Sequence, residues 1–190
     1  MTNQEIFNIT VDLISERLDS GLVDTTNTLN YSKRTPGLLT MLNSEICREA
    51  PLYKSLTITE VTQTTNNYTE ITLPADYIAM YQLLDSNLNL VDDFKIIGRK
   101  LYVRYDLNGT LIYRYVPAAV TALTETTPYD DMIATTVMPN ALAAQLLINE
   151  NTTLANYFNQ RYIELLNKIK TKEPASINKR TDKYDASCKF

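Results

Sequence analysis

The sequence contains no histidine and no tryptophan, and it has only four glycines and two cysteines among 190 residues. Histidine is the commonest general base, nucleophile activator and metal ligand. Its absence excludes hydrolases with a histidine-dependent triad and metal enzymes with histidine ligands. The four glycines lie far apart in the chain, so there is no glycine-rich phosphate loop, and P-loop nucleotide hydrolysis is excluded as well.

The cysteines and the apolar segments indicate in which cellular compartment the protein is expected. Cys47 and Cys188 are too distant in sequence to suggest a disulfide framework or a metal cluster, and a reducing compartment fits them. The first residues have no basic region followed by an apolar one, and no segment approaches the ~18 apolar residues of a membrane span. We therefore expect neither a signal peptide nor a membrane span.

Charge is distributed unevenly along the chain. Residues 1–167 hold 11 Lys or Arg against 19 Asp or Glu, a net charge of −8, whereas residues 168–190 hold seven against three, a net charge of +4. Because Lys and Arg supply most of the affinity for duplex DNA, the acidic body argues against ordinary DNA binding. A DNA-binding function would have to depend on the basic tail.

The first 50 residues predict two helices. Apolar residues recur at helical spacing over residues 2–19, and a polar run over residues 20–30 predicts a loop. Thr35 followed by Pro36 is typical of an N-cap and a first helical position. The second helix is therefore expected from about Pro36 to Glu49.

A β-rich segment is expected over residues 55–117, where the apolar period becomes two and β-branched and aromatic residues are frequent. Strands over residues 56–62 and 68–73 flank an asparagine-containing turn and predict a hairpin. Asn108-Gly109, a strong hairpin signal, predicts that the last three strands of this segment form a meander. A small antiparallel sheet or barrel follows.

The helical pattern returns over residues 128–172. Asp130 and Asp131 should lie in the first turn of a third helix, where carboxylates oppose the helix dipole favourably, and Pro139 should kink this helix or begin a new one. A final amphipathic helix follows. Its apolar stripe consists of Leu154, Phe158, Tyr162, Leu165 and Ile169.

Together these segments predict an α+β fold, a bundle of two N-terminal and two C-terminal helices with the small antiparallel β-sheet or barrel inserted between them. Residues 1–172 would form a single domain, helical over residues 2–50 and 128–172. Residues 173–190 have no apolar period, so we expect them to lack fixed structure alone and to form an extended C-terminal arm.

Pairs of adjacent carboxylates are the only candidate catalytic groups in the sequence. Asp92-Asp93 and Asp130-Asp131 are the candidate acids and bases, but adjacent residues on a strand point to opposite faces and would not share a substrate. The predicted turn before a strand explains Asp92-Asp93, and the predicted helix start explains Asp130-Asp131, without a catalytic role for either pair. No calcium-loop motif occurs in the sequence. We expect no enzyme, no catalytic residue, no cofactor and no metal.

The tyrosines of the predicted sheet leave an alternative open, which is a small β-rich binding module for a glycan or for single-stranded nucleic acid. Tyrosines with interleaved arginines can form a stacking platform for such ligands. They are also ordinary cross-strand pairs, and the acidic body favours that interpretation. The residues concerned are Tyr102, Tyr105, Tyr113, Tyr115, Arg104 and Arg114.

The basic tail is the feature that a monomer explains least. A solvated end would gain nothing from the aromatic residues Tyr184 and Phe190, whereas an arm that orders on a partner would use both its cations and its aromatic side chains. We therefore expect the arm to dock on a partner.

Several short segments, taken in their order, carry a likeness to a known family. They are residues 71–78, the strand pairs around Gly98 and Asn108-Gly109, the polar connection 123–127, residues 138–147, and helix residues 154–155 and 158–166. The likeness spans about residues 2–170. In this order of elements the chain resembles the head-to-tail connector (adaptor) proteins of tailed bacteriophages, including those called tail tubular protein A.

The resemblance implies a structural virion protein that is made in the host cytoplasm. Such proteins form a ring, usually of twelve copies, below the portal protein of the head and above the next tail or nozzle component. DNA passes through the ring without specific binding, and an acidic wall, which repels phosphates, fits that role. The C-terminal segment of relatives grips the portal. By position only, docking on the portal or on a neighbouring subunit therefore falls to Lys179, Arg180, Lys183, Tyr184 and Phe190.

Overall fold

The computed structural model describes residues 1–18, 23–59, 68–104 and 107–170, and it confirms the α+β class. In chain order, the elements are α1 (Asn3–Ser15), α2 (Thr25–Glu49), β1 (Tyr53–Ile58), β2 (Tyr68–Thr72), β3 (Tyr77–Asp85), β4 (Phe94–Ile97), β5 (Lys100–Arg104), β6 (Gly109–Tyr115), a π-helical turn (Ile133–Val137), α3 (Met138–Leu147) and α4 (Thr152–Lys170). No helix among the described residues combines the length and the apolar character that crossing a bilayer requires.

The first helix begins with a capping box and ends earlier than predicted. The Thr2 hydroxyl accepts a hydrogen bond from the Glu5 backbone N–H (3.3 Å), and the Glu5 carboxylate accepts one from the Thr2 N–H (2.7 Å). The helix ends at Ser15, four residues before its predicted end. Ile14 is its last fully buried residue, and Arg17, which follows the helix, donates a hydrogen bond to the Tyr157 hydroxyl of α4 (2.9 Å).

The predicted start of the second helix at Pro36 is wrong. The helix α2 begins at Thr25, with Asp24 as its N-cap, and Pro36 lies in its interior. An interior proline lacks the N–H for its helical hydrogen bond and costs about 3 kcal/mol. Burial of the turn that precedes it offsets this cost. In that turn the side chain of Tyr31 is buried and donates a hydrogen bond to the Glu150 carboxylate.

The β part consists of two antiparallel sheets of three strands each, in the orders β1-β6-β3 and β2-β5-β4. Buried side chains from both sheets share one apolar core, so the sheets pack against each other. The members of this core are Ile58, Leu73, Leu83, Leu101, Val103, Leu111 and Tyr113.

The predicted strand pairing is largely wrong. In the described residues β1 pairs with β6 and β2 with β5, so the first predicted hairpin does not form, and only the β4–β5 pair of the predicted meander is confirmed. Neither Asn108 nor Gly109 has the positive φ of a type I′ turn. Gly109 already belongs to β6, opposite Ile58 on one side and Asp85 on the other. A Cβ at this position would lie 2.0 Å from the Leu84 carbonyl oxygen, so the glycine permits close approach of β3.

The helices share a second core, which is distinct from the β core. α3 is central to it, since eight of its 10 residues are buried. The predicted core positions Phe158 and Tyr162 of α4 are confirmed, whereas Leu165 is half-buried and Leu166 takes the buried place. Pro139 is the second residue of α3 and directly follows the π-helical turn, within a helical run that continues from one into the other.

A small junction connects the helical part to the β part. The chain leaves α2 through residues 50–52 and returns after β6, and these crossings are adjacent, since the Tyr115 N–H donates to the Leu52 carbonyl (3.1 Å). The Cys47 thiol donates to the Tyr115 carbonyl (3.2 Å), and the Arg114 guanidinium donates to the Cys47 carbonyl (3.3 Å). Two hydrogen bonds therefore tie the end of α2 to β6, and the third joins β6 to the connection that precedes β1.

Candidate interaction surfaces

The docking residues predicted on the arm lie outside the described residues. α4 ends at Lys170, and the predicted residues Lys179, Arg180, Lys183, Tyr184 and Phe190 follow it. Their assignment stays a prediction.

The two carboxylate pairs lie in different parts of the molecule and are both explained locally. Asp92 and Asp93 are exposed in the connection between β3 and β4. The Asp130 carboxylate accepts a hydrogen bond from the Ile133 N–H (2.9 Å), which caps the helical run before α3. Across the described ranges, no group of three or more Cys, Asp or Glu side chains is placed to hold a metal ion.

The predicted tyrosine platform is divided between the two sheets. Tyr102 lies on β5, where its hydroxyl donates to the Glu70 carboxylate (3.1 Å). Tyr113 lies on β6 in the other sheet and is buried, with its hydroxyl 3.3 Å from Asp76. Hydrogen bonding to Glu70 raises the pKa of Tyr102, and burial raises the pKa of Tyr113. These two tyrosines therefore do not share a ligand-binding face.

The remaining members of that set are also engaged or lie elsewhere. The Lys54 ammonium stacks over the Tyr115 ring at 4.1 Å, and Arg114 faces the junction. Arg104 is exposed at the end of β5, and Tyr105 lies outside the described residues.

A loop that presents two leucines to solvent lies between β3 and β4. We call residues 86–91 the leucine loop. The Asp85 carboxylate accepts hydrogen bonds from the backbone N–H groups of Asn87 and Asn89, both at 2.8 Å, and from the Asn89 side-chain amide at 3.1 Å. This network holds Leu88 at φ 64°, a conformation that is unfavourable for a leucine, and leaves its side chain 76% exposed. Leu90 is exposed beside it.

The leucine loop should loosen in acid. The hydrogen bonds from Asn89 and Asn87 hold the pKa of Asp85 below its ordinary value of 3.8. Because the folded-state pKa is the lower one, the stabilisation is complete above the ordinary value and is lost as the pH falls through the folded-state pKa. We expect the amide signals of Asn87, Leu88 and Asn89 to shift together in an NMR titration over that range. The same shifts in an Asp85→Ala variant would contradict this assignment.

The strand β4 forms an apolar edge of its sheet. Within the described part of the chain it is hydrogen-bonded to β5 alone. Ile96 lies opposite the buried Leu101 and so faces the core side, yet it is 38% exposed. Ile97, on the other face, is 63% exposed. Apolar side chains therefore flank an open strand edge on both faces.

The helical part has an exposed ridge of its own. Leu29, Lys33, Gly37 and Met41 follow one another at intervals of four residues on α2, and all four are exposed. We call these four residues the α2 ridge. The leucine loop, the β4 edge and this ridge were not predicted from the sequence. Two leucines within a stretch of turn residues were the available signal for the loop.

No protein-family model matches this chain, and no curated protein matches it either.

Proposed function

We propose that this protein is a non-enzymatic structural component of a tailed bacteriophage, a connector that forms a ring between the portal and the next tail component. The element order supports the proposal, because the β part is inserted between two pairs of helices, as in the arrangement that carries the family resemblance. The exposed apolar surfaces on both parts are the observation that carries it furthest.

A closed ring uses head-to-tail contacts, so each copy must offer two different surfaces that fit each other. The α2 ridge lies on the helical part, and the leucine loop and β4 edge lie on the β part. Exposed large apolar groups that are collected at such places are typical of protein interfaces. These surfaces supply two dissimilar candidates for the contact between neighbours.

The charge supports a channel through which DNA passes without binding. Residues 1–167 have a net charge of −8, and a wall of that sign repels the phosphates of a duplex. The acidic channel is part of the proposal, and a lumen lined by Lys and Arg in the assembled ring would contradict it.

The mass of the assembly in solution tests the proposed ring. Light scattering should give the mass of a ring, or of a monomer that assembles only when a candidate portal protein is added. A Met41→Glu variant should assemble less, because the substitution places a charge on the α2 ridge, where a neighbour would have to desolvate it.

Asn27→Glu is the matched control, since Asn27 is also exposed on α2 but lies off the ridge. A monomer that is indifferent to any portal would contradict the connector and would favour the binding-module alternative. If the Met41 and Asn27 variants assemble equally well, the α2 ridge is not part of the interface. That result would not contradict the proposed ring.

A further inference from the structure

We infer that the β4 edge, with the leucine loop and Asp92-Asp93, is the docking site for the C-terminal tail, residues 171–190, of a second copy of this chain. The inference rests on the proposed self-assembly and specifies which segment of a neighbour binds where. Three properties of the site carry it: an open strand edge, apolar side chains beside that edge, and two carboxylates that no described residue pairs with.

The open edge offers backbone hydrogen bonds. An edge strand has a row of unpaired N–H and C=O groups, and an extended peptide can add to it as a further strand. Proteins usually block such edges with charges, bulges or short strands. On β4 the blocking features are its length of four residues and one charge, Lys95, while Ile96 and Ile97 are exposed.

The other edges of the two sheets are protected in ways that β4 is not. β3 has two register shifts, and part of it is bridged by the leucine loop through Leu84 and Leu90. β1 carries Lys54, which forms an ion pair with Asp76 at 2.6 Å. β2 carries Glu70, paired with a lysine of β5. Of the four edge strands, β4 carries the most exposed large apolar side chain, Ile97, and its one charge, Lys95, forms no ion pair with a described residue.

The charges of the site and of the tail are complementary. Asp92 and Asp93 immediately precede β4 and are exposed, and no described residue forms an ion pair or hydrogen bond with either carboxylate. Residues 171–190 hold five Lys or Arg against three Asp or Glu, a net charge of +2. Tyr184 and Phe190 add aromatic groups that can cover the exposed leucines and isoleucines.

The tail can extend far from the copy to which it belongs. It begins after α4 on the helical part, and its 20 residues can span about 65 Å when extended. If each copy donates one tail and accepts another, the contact is head-to-tail and repeats around a closed ring. The same contact adds buried area to each interface between neighbours.

The test uses the full chain and its own cysteine. A fluorophore on Cys188 labels the tail, and Cys47 is buried at 3% exposure and is left unmodified under native conditions. A trace of labelled protein is titrated with unlabelled protein while fluorescence anisotropy is recorded. We expect the anisotropy to rise with the concentration of unlabelled protein.

Charge reversal should first weaken and then restore this response. An unlabelled partner with Asp92→Lys and Asp93→Lys should need about tenfold higher concentration, because like charges then face each other across the contact. A labelled tail with Lys179→Glu, Arg180→Glu and Lys183→Glu should bind that partner again at the original concentration. A partner with Asp12→Lys and Glu16→Lys, two exposed carboxylates at the C-terminal end of α1, is the control with the same change in charge and should behave as the unmodified protein.

Three results would overturn the inference. They are equal titrations with the Asp92/Asp93 and Asp12/Glu16 partners, an anisotropy that is high at every concentration (a tail bound to its own copy), and a rise that occurs only when portal protein is added. Light scattering on the same samples separates this inference from the proposed function. A ring without any tail response overturns only the docking site, whereas a tail response without a ring supports the docking site and contradicts the connector.

Discussion

Replacing Phe158 with alanine should destabilise the protein by about 4 kcal/mol, because the substitution empties a large volume at the centre of the helical core. Phe158 is 2% exposed on α4, which packs on the almost completely buried α3. A core formed by helices on all sides can collapse little around the lost ring. Urea unfolding followed by far-ultraviolet circular dichroism measures the loss.

Tyr157→Ala is the matched control at the neighbouring position. Tyr157 is 41% exposed, and its contacts are a stacking guanidinium from Arg17 at 4.8 Å, a hydrogen bond from the same group at 2.9 Å, and an edge-on contact with the Phe158 ring at 5.3 Å. We expect its removal to cost about 1 kcal/mol or less. If the two variants lose the same stability, the core that we assign to α4 is wrong.

Gly109→Ala should cost about 3 kcal/mol, at the upper end of the penalty for overpacking. The added methyl carbon would lie 2.0 Å from the Leu84 carbonyl oxygen and 3.2 Å from the Asp85 Cα, both of them backbone atoms of β3. A backbone cannot swing aside as a flexible side chain can, so β3 has to separate from β6. Because Asp85 holds the leucine loop, the loop should lose its amide protection in the same variant, which hydrogen exchange can detect.

Gly37→Ala makes the same chemical change, and we expect it to have the opposite effect on the stability of the protein. Nothing lies within 4 Å of the position that its Cβ would occupy, and Gly37 is in the interior of a helix. Alanine there should stabilise the protein by about 0.5 to 1 kcal/mol. A Gly109→Ala variant as stable as Gly37→Ala would show that β3 and β6 do not approach as closely as described.

The helical periodicity of α4 could be read from the sequence because one face of this helix meets the core. Phe158 and Tyr162 repeat at the helical period, and their burial follows from that spacing. The start of α2 could not be read in this way. Thr35-Pro36 is a strong local start signal, but it is overridden by the burial of Tyr31, which is bonded to a residue more than 100 positions away in the chain.

Strand pairing failed for a related reason. A turn signal such as Asn108-Gly109 describes only the residues beside it, whereas β6 obtains its partners from β1 and β3, which lie earlier in the chain. The same glycine serves a tight turn or a close approach, and the local sequence does not distinguish these uses. The surfaces that we propose as interfaces depend on this pairing, because it decides that β4 is an edge and that Ile97 is exposed.

The junction makes the β part separable from the helices. Its two ends, at Leu52 and Tyr115, are joined by a backbone hydrogen bond, so their Cα atoms lie within about 5.5 Å of each other. A segment whose ends lie side by side is topologically an insertion, which can be shortened, exchanged or removed while the surrounding helices keep their positions. Apart from the ends themselves, the side chains of Cys47 and Arg114 connect the two parts by hydrogen bonds. The helical part can thus hold a different β insertion at this position, and the sequences of the two parts can change at different rates.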